Sequence, residues 1–172
     1  MNTAVSMELH HEIEQRLYTE ARILDQELGR EWLETLVDPE IRYQLVMMDE
    51  RFKKDKTAMA DREIFAFDDD FAILNIRVAQ AETGMQTMLD PAQRMYRMLT
   101  NIQAFSTDLE GEYRVLSYGT AARYRRQYER EMAVYSRDDV WRRDDAGQLR
   151  LLKRRIELGE RVVRNKNLLF FL

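Results

Sequence analysis

The sequence predicts an α+β fold in a single domain covering residues 1–172, and three observations carry that reading. Apolar residues recur every three or four positions through the first third of the chain. After residue 94 several strand-like runs follow one another with no helix between them. The length, 172 residues with 45% apolar and 34% charged content, suits one well-filled core. Helices gathered ahead of consecutive strands argue for an antiparallel sheet with helices laid on one face.

Over residues 7–28, Ile13, Leu17, Ala21, Leu24 and Leu28 fall on one helical face, and Gly29 is the expected stop. A second short helix carries Trp32, Leu33 and Leu36. Asp38-Pro39 should end it, because a residue before proline is pushed out of the helical region. From Ile41 the period becomes two: Ile41, Tyr43, Leu45 and Met47 alternate with Arg42, Gln44, Val46 and Met48, predicting a strand. Residues 49–63 are polar and irregular and read as a solvated loop. Asp68-Asp69-Asp70 reads as the acidic start of a third helix, with Phe71, Leu74, Val78, Ala81 and Met85 as its apolar side and Gly84 as its cap. Asp90-Pro91 is a further breaker. Strands are then expected over 95–105, 112–128 and 131–143. Asp144-Asp145-Ala146-Gly147 makes a turn before a last strand from Leu149 to Leu158.

Charge is unevenly spread. Residues 1–93 carry 20 acids and 10 bases, and residues 94–172 carry 11 acids and 17 bases; 22 of the 27 bases are Arg. Arg forms planar, forked contacts with carboxylates and is enriched at interfaces. Two readings stay open: basic strands packed against acidic helices within the chain, or a subunit interface rich in Arg–carboxylate pairs. Nucleic-acid binding fits poorly with an overall charge of −4 and with acids interleaved among the Arg residues.

The absence of Cys excludes thiolate metal sites, four-thiolate iron–sulfur clusters and disulfides within the chain. His10 and His11 are adjacent, so on a helix they diverge by about 100° and do not chelate one metal. No glycine-rich phosphate loop and no Ser–His–Asp set is present. Asp68-Asp69-Asp70 as a cation site and Asp25 as a general acid are both outweighed by structural readings. Trp32, Tyr43 and the Tyr/Arg strands read as core or interface ahead of a ligand pocket. No apolar run approaches the ~20 residues of a membrane span, and the first residues do not read as a signal peptide. A soluble intracellular protein with no membrane partner is expected. Residues 168–172, Leu-Leu-Phe-Phe-Leu, are expected to be buried.

A series of motifs runs through nearly the whole chain in order: Tyr18-x-Glu20-Ala21-x-x-Leu24-Asp25, Glu31-Trp32-Leu33, Asp38-x-x-Ile41-x-Tyr43, Phe67-Asp68-Asp69-Asp70, Arg77-Val78-Ala79, Glu82-Thr83-Gly84, Asp90-Pro91-x-x-Arg94, Leu99-Thr100-Asn101-Ile102, Arg137-x-Asp139-Val140-x-Arg142-Arg143, Arg154-Arg155-Ile156 and Asn167-Leu168-x-Phe170-Phe171-Leu172. Together they resemble the small (beta) subunit of aromatic ring-hydroxylating dioxygenases. The resemblance implies a cystatin-like, SnoaL-like roll, in which a curved antiparallel sheet forms a cone with the N-terminal helices packed in it. It implies a cytoplasmic, non-catalytic subunit that assembles the large (alpha) catalytic subunits for the catabolism of aromatic compounds. The Rieske 2Fe–2S cluster and mononuclear iron would sit on the large subunit, with no catalytic, cofactor or metal residue in this chain. A trimeric arrangement, a reductase and, in some systems, a ferredoxin complete the implied system. Arg94, Asn101, Arg137, Asp139, Arg154, Arg155, Phe170 and Phe171 are the implied interface residues. The chain departs from the family pattern at Val46-Met47-Met48, Ile156-Glu157-Leu158-Gly159 and Ala122-Arg123. The alternative is a stand-alone dehydratase or isomerase, or a small-ligand binding protein, on the same roll.

Overall fold

The computed structural model describes residues 3–47, 64–83, 93–159 and 171–172. Among them the chain forms α1 (Met7–Asp25), α2 (Gly29–Thr35), β1 (Val37–Met47), β2 (Ile64–Asp69), α3 (Phe71–Glu82), β3 (Arg94–Ser106), β4 (Glu112–Arg125), β5 (Glu129–Arg143) and β6 (Leu149–Leu158). The strands make one sheet in the order β2-β1-β6-β5-β4-β3. Every neighbouring pair is antiparallel except β1 with β6.

α1 opens on Ser6, whose hydroxyl accepts from Leu9 N at 3.2 Å. It does not end at Gly29. Glu27, at φ 59°, makes the stop, with Leu28 N donating to Ile23 O and Glu27 N to Leu24 O. That pair of bonds is the Schellman arrangement, in which the residue past the helix cap turns left-handed to satisfy the last carbonyls. Gly29 instead starts α2, where a side chain would sit 3.4 Å from Val78 of α3. Ile13, Leu17 and Leu24 of α1, Trp32 and Leu33 of α2, and Leu74 and Val78 of α3 are buried on the inner face of the sheet.

β1 begins at Val37, four residues before the expected start, and runs through Pro39. Its pairing with β6 jumps from Val37↔Leu151 to Arg42↔Lys153, so the proline lies in an unpaired bulge and its missing N–H costs no ladder bond. β2 was not expected: Phe65 and Phe67 alternate with Ala66 and Asp68 over a strand of six residues. Asp68 and Asp69 therefore belong to a strand, and Asp70 alone caps α3, accepting from Ile73 N at 2.9 Å. β4 ends at Arg125, short of the expected 128. The Asp144–Gly147 turn and the limits of β6 fall where the sequence places them. The 49–63 loop, the Gly84 cap, Asp90-Pro91 and residues 168–170 lie outside the described residues.

In β5 the odd residues Ala133, Tyr135, Arg137, Asp139 and Trp141 are buried and face the helices. β3 carries a bulge between Thr100 and Gln103, where Asn101 turns left-handed (φ 54°). The neighbouring carbonyl of Ile102 lies 3.2 Å from His10 Nε2 of α1, tying helix to strand. Residues 3–5 pair along the free edge of β3, with Val5 N donating to Ala104 O and Ser106 N to Thr3 O, which covers part of that edge.

Candidate functional site

The interior holds charge as well as apolar packing. Glu20 lies on the inner face of α1 between Leu17 and Leu24, 1% exposed. Its Oε1 accepts from Trp32 Nε1 at 2.9 Å and from Arg154 Nη1 at 2.8 Å; its Oε2 accepts from Arg154 Nη2 at 2.8 Å and from Arg137 Nη1 at 3.3 Å. Asp139 of β5 stands opposite Arg154 of β6 in the ladder and accepts from its Nε (3.0 Å) and Nη2 (2.8 Å). Arg137 lies 3.5 Å from the same carboxylate, an ion pair without a hydrogen bond. Two carboxylates thus balance two guanidiniums in the buried interior. Burial alone would raise the Glu20 pKa; Arg154 and Arg137, aided by the Arg154 and Trp32 hydrogen bonds, overcome it and hold the group at about 2. Burial disfavours the charge on Arg154, yet Asp139 and Glu20 push its pKa well up.

One layer outward, Phe171 and Leu172 close the inner space. The Phe171 ring stacks on Trp32 (centroids 4.6 Å apart) and meets Tyr43 edge-on at 6.2 Å. Arg77 stands 4.7 Å from the ring centroids of both Phe67 and Phe171, and its Nη1 donates to Asp69 at 2.5 Å. Arg97 joins Asp25 through Nη1 (2.5 Å) and through its own backbone N (3.1 Å), and donates to Phe171 O from Nε (3.2 Å) and Nη2 (2.7 Å). Leu172 N donates to the Tyr43 hydroxyl at 2.8 Å, and that hydroxyl donates to Leu172 O at 3.1 Å. Burial pushes the Tyr43 pKa up.

The expected interface residues fall in two groups. Arg137, Asp139 and Arg154 have at most 4% of their surface exposed in the single chain and pair with one another and with Glu20. Phe171 is buried with them. Arg94 and Asn101 are exposed, and Arg155 is half-buried on the outer face beside Glu157 at 3.0 Å. Phe170 lies outside the described residues. Asp25, weighed as a general acid, is taken up by Arg97. The basic strands do pair with the acidic helices within the chain: Arg143 with Glu12, Arg154 and Arg137 with Glu20, Arg97 with Asp25. Glu20 was missed, although an acid at a core-facing helical position was a readable signal.

The outer face of the sheet is different. Tyr96, Met98, Tyr118, Tyr124, Met132 and Val134 are all exposed, and the ladder makes them neighbours: Tyr96↔Ala122↔Met132 in one row, Met98↔Thr120↔Val134 in the next. Beside them a cleft of about 630 Å³ is lined by Asn101, Tyr118, Ser136, Asp138, Arg155 and Glu157. Among the described residues there is no cluster of His, Asp and Glu fit to hold a metal, and no helix long and apolar enough to cross a membrane.

The family model described as ring hydroxylating beta subunit matches residues 19–165. The chain is similar to a chain of naphthalene 1,2-dioxygenase solved with indole in the active site, at 26% identity and TM-score 0.92, covering 98% of this chain and 88% of that one. It also resembles the beta subunit of benzoate 1,2-dioxygenase from Burkholderia mallei (17% identity, TM-score 0.64, 86% and 88% covered). ActVI-ORFA from Streptomyces coelicolor shares the fold at 11% identity and TM-score 0.63, with 90% and 98% covered. The family match and the shared architecture agree with the roll implied by the sequence motifs.

Proposed function

The chain belongs to the family of ring-hydroxylating beta subunits, and from that premise we propose that it holds the large subunits of an aromatic ring-hydroxylating dioxygenase in register as a trimeric scaffold. It is the small subunit of an oxidoreductase complex, and in this family the Rieske cluster and the iron belong to the large subunit. The trimer, the supply of electrons by a reductase with or without a ferredoxin, a cytoplasmic setting and a role in aromatic catabolism are parts of this proposal.

One observation carries the scaffold reading: the inner face pairs its buried charges with one another, whereas the outer face leaves a large apolar patch exposed. Inside, Glu20, Asp139, Arg137 and Arg154 neutralise one another and Phe171 packs on Trp32 and Tyr43, so these four charged groups are engaged within the chain. Outside, an apolar Tyr/Met/Val patch lies on a rigid sheet next to a charged cleft, a composition suited to subunit contact. Arg94, Asn101 and Arg155 border this face and remain our interface candidates; Arg137, Asp139, Arg154 and Phe171 do not. A dehydratase or isomerase reading is not favoured.

Sedimentation and co-purification with a large subunit test the proposal. Met132→Asp with Val134→Asp should leave the single chain folded, because both side chains are exposed, and should abolish the trimer and weaken capture of the large subunit. Unchanged assembly in the folded variant would remove the outer face from the proposal.

A further inference from the structure

Among the described residues, side chains from three strands hold the main chain of Phe171 and Leu172. Arg97 of β3 donates twice to Phe171 O (3.2 and 2.7 Å). Tyr43 of β1 accepts from Leu172 N (2.8 Å) and donates to Leu172 O (3.1 Å). Arg154 of β6 donates to Leu172 O (3.0 Å). The ring is gripped just as specifically, by Trp32 in a stack, Tyr43 at the edge and the Arg77 guanidinium. A rigid, aromatic-walled slot with a few convergent polar groups is how proteins bind small molecules.

We propose that this slot is a binding site for an aromatic ring joined through a short linker to an amide carbonyl, and that Phe171 and Leu172 occupy it as a ligand carried on the chain. The inference goes beyond the scaffold reading and does not rest on it. The surrounding charges are already matched, Arg97 with Asp25, Arg77 with Asp69, and Arg154 and Arg137 with Glu20 and Asp139. An uncharged acyl group therefore fits better than a carboxylate. An approach also exists: a cleft of about 630 Å³, lined by Leu24, Leu28, Val78, Met95 and Arg97, ends on Phe171 itself. A ligand reaching the slot by this route meets the ring it must replace.

The test uses the full chain lacking only Phe171 and Leu172, with 3-phenylpropanamide as probe. That molecule repeats the ring-to-carbonyl spacing of Phe171 and places an amide N–H where Leu172 N meets Tyr43. The probe should raise the unfolding midpoint by about 5 °C at a hundred times its Kd. Tyr43→Phe in the same background should weaken binding about fivefold, by loss of the hydroxyl contact. The cyclohexyl analogue, which lacks the π face offered to Trp32 and Arg77, should bind several-fold more weakly. A folded variant with no response to the probe overturns the proposal, as does binding indifferent to both Tyr43→Phe and the loss of the aromatic ring. If the shortened chain does not fold, Phe171→Ala decides. It keeps the main-chain anchors and opens only the ring slot, so toluene should stabilise it and leave the parent protein unaffected; no stabilisation overturns the proposal.

Discussion

Arg154 and Glu20 meet fork to fork, 134 residues apart in sequence, with Nη1 and Nη2 each 2.8 Å from a carboxylate oxygen. The same guanidinium turns its Nε and its second Nη2 hydrogen to Asp139 and its second Nη1 hydrogen to Leu172 O, so all five N–H donors are engaged by the protein itself.

Removing one member of this group leaves the others buried without a counter-charge. Arg154→Met should cost about 3–5 kcal/mol in urea unfolding. Adding Glu20→Leu in that background should restore part of the loss. Strict additivity of the two changes would show that they do not act together.

Acid should weaken the protein through Glu20. Its folded pKa lies below the unfolded value, so the unfolded chain takes up the proton first. The stabilisation is complete above the ordinary carboxylate range near 4.5 and is lost as pH falls through about 2. It amounts to about 3 kcal/mol over that window. Glu20→Gln should flatten the stability profile between those pH values, measured by denaturant unfolding at each pH.

Gly119 tolerates no side chain. A Cβ there would lie 2.3 Å from ring atoms of Tyr135, its partner across the β4–β5 ladder. Gly119→Ala should destabilise by at least about 1–3 kcal/mol. Adding Tyr135→Leu should recover part of that loss, and a Gly119→Ala chain as stable as the parent would contradict the packing.

Glu27 holds the left-handed position that ends α1, at φ 59°, with its side chain exposed. Glycine adopts that conformation without strain. Glu27→Gly should therefore raise stability by about 0.5–1 kcal/mol, in contrast to the loss expected for glycine inside a helix.

What the sequence made legible follows from how local each signal is. α1 and the five strands of ten or more residues were readable because elements of that length leave room for a repeated local pattern. β2 was hidden because six residues give few alternations, and its two final acids imitate a helix start. Pro39 was read as a break because a bulge that excuses a missing N–H is a property of two paired strands. The ionic core was half-readable: Arg137 and Asp139 share the parity of Tyr135 and Trp141, which places them inside. Their partner Glu20 comes from another element, and only the topology unites them. An excess of Arg left two readings open, pairing within the chain or a subunit interface; among the described residues Arg–carboxylate pairs tie strands to helices, as Arg143 with Glu12 and Arg97 with Asp25, and strands to one another, as Arg142 with Asp38 and Arg154 with Asp139.

The parallel pairing of β1 with β6 bears on how the protein is made. β1 has β2 on one side and β6 on the other, so in the strand ladder the β1–β2 pair meets the rest of the sheet through Leu149–Leu158. A growing polypeptide must therefore make Leu149–Leu158 before β1 finds its permanent partner. Until then Trp32, Leu33 and Leu45 await cover, and chaperones or prompt assembly would be most needed in that interval.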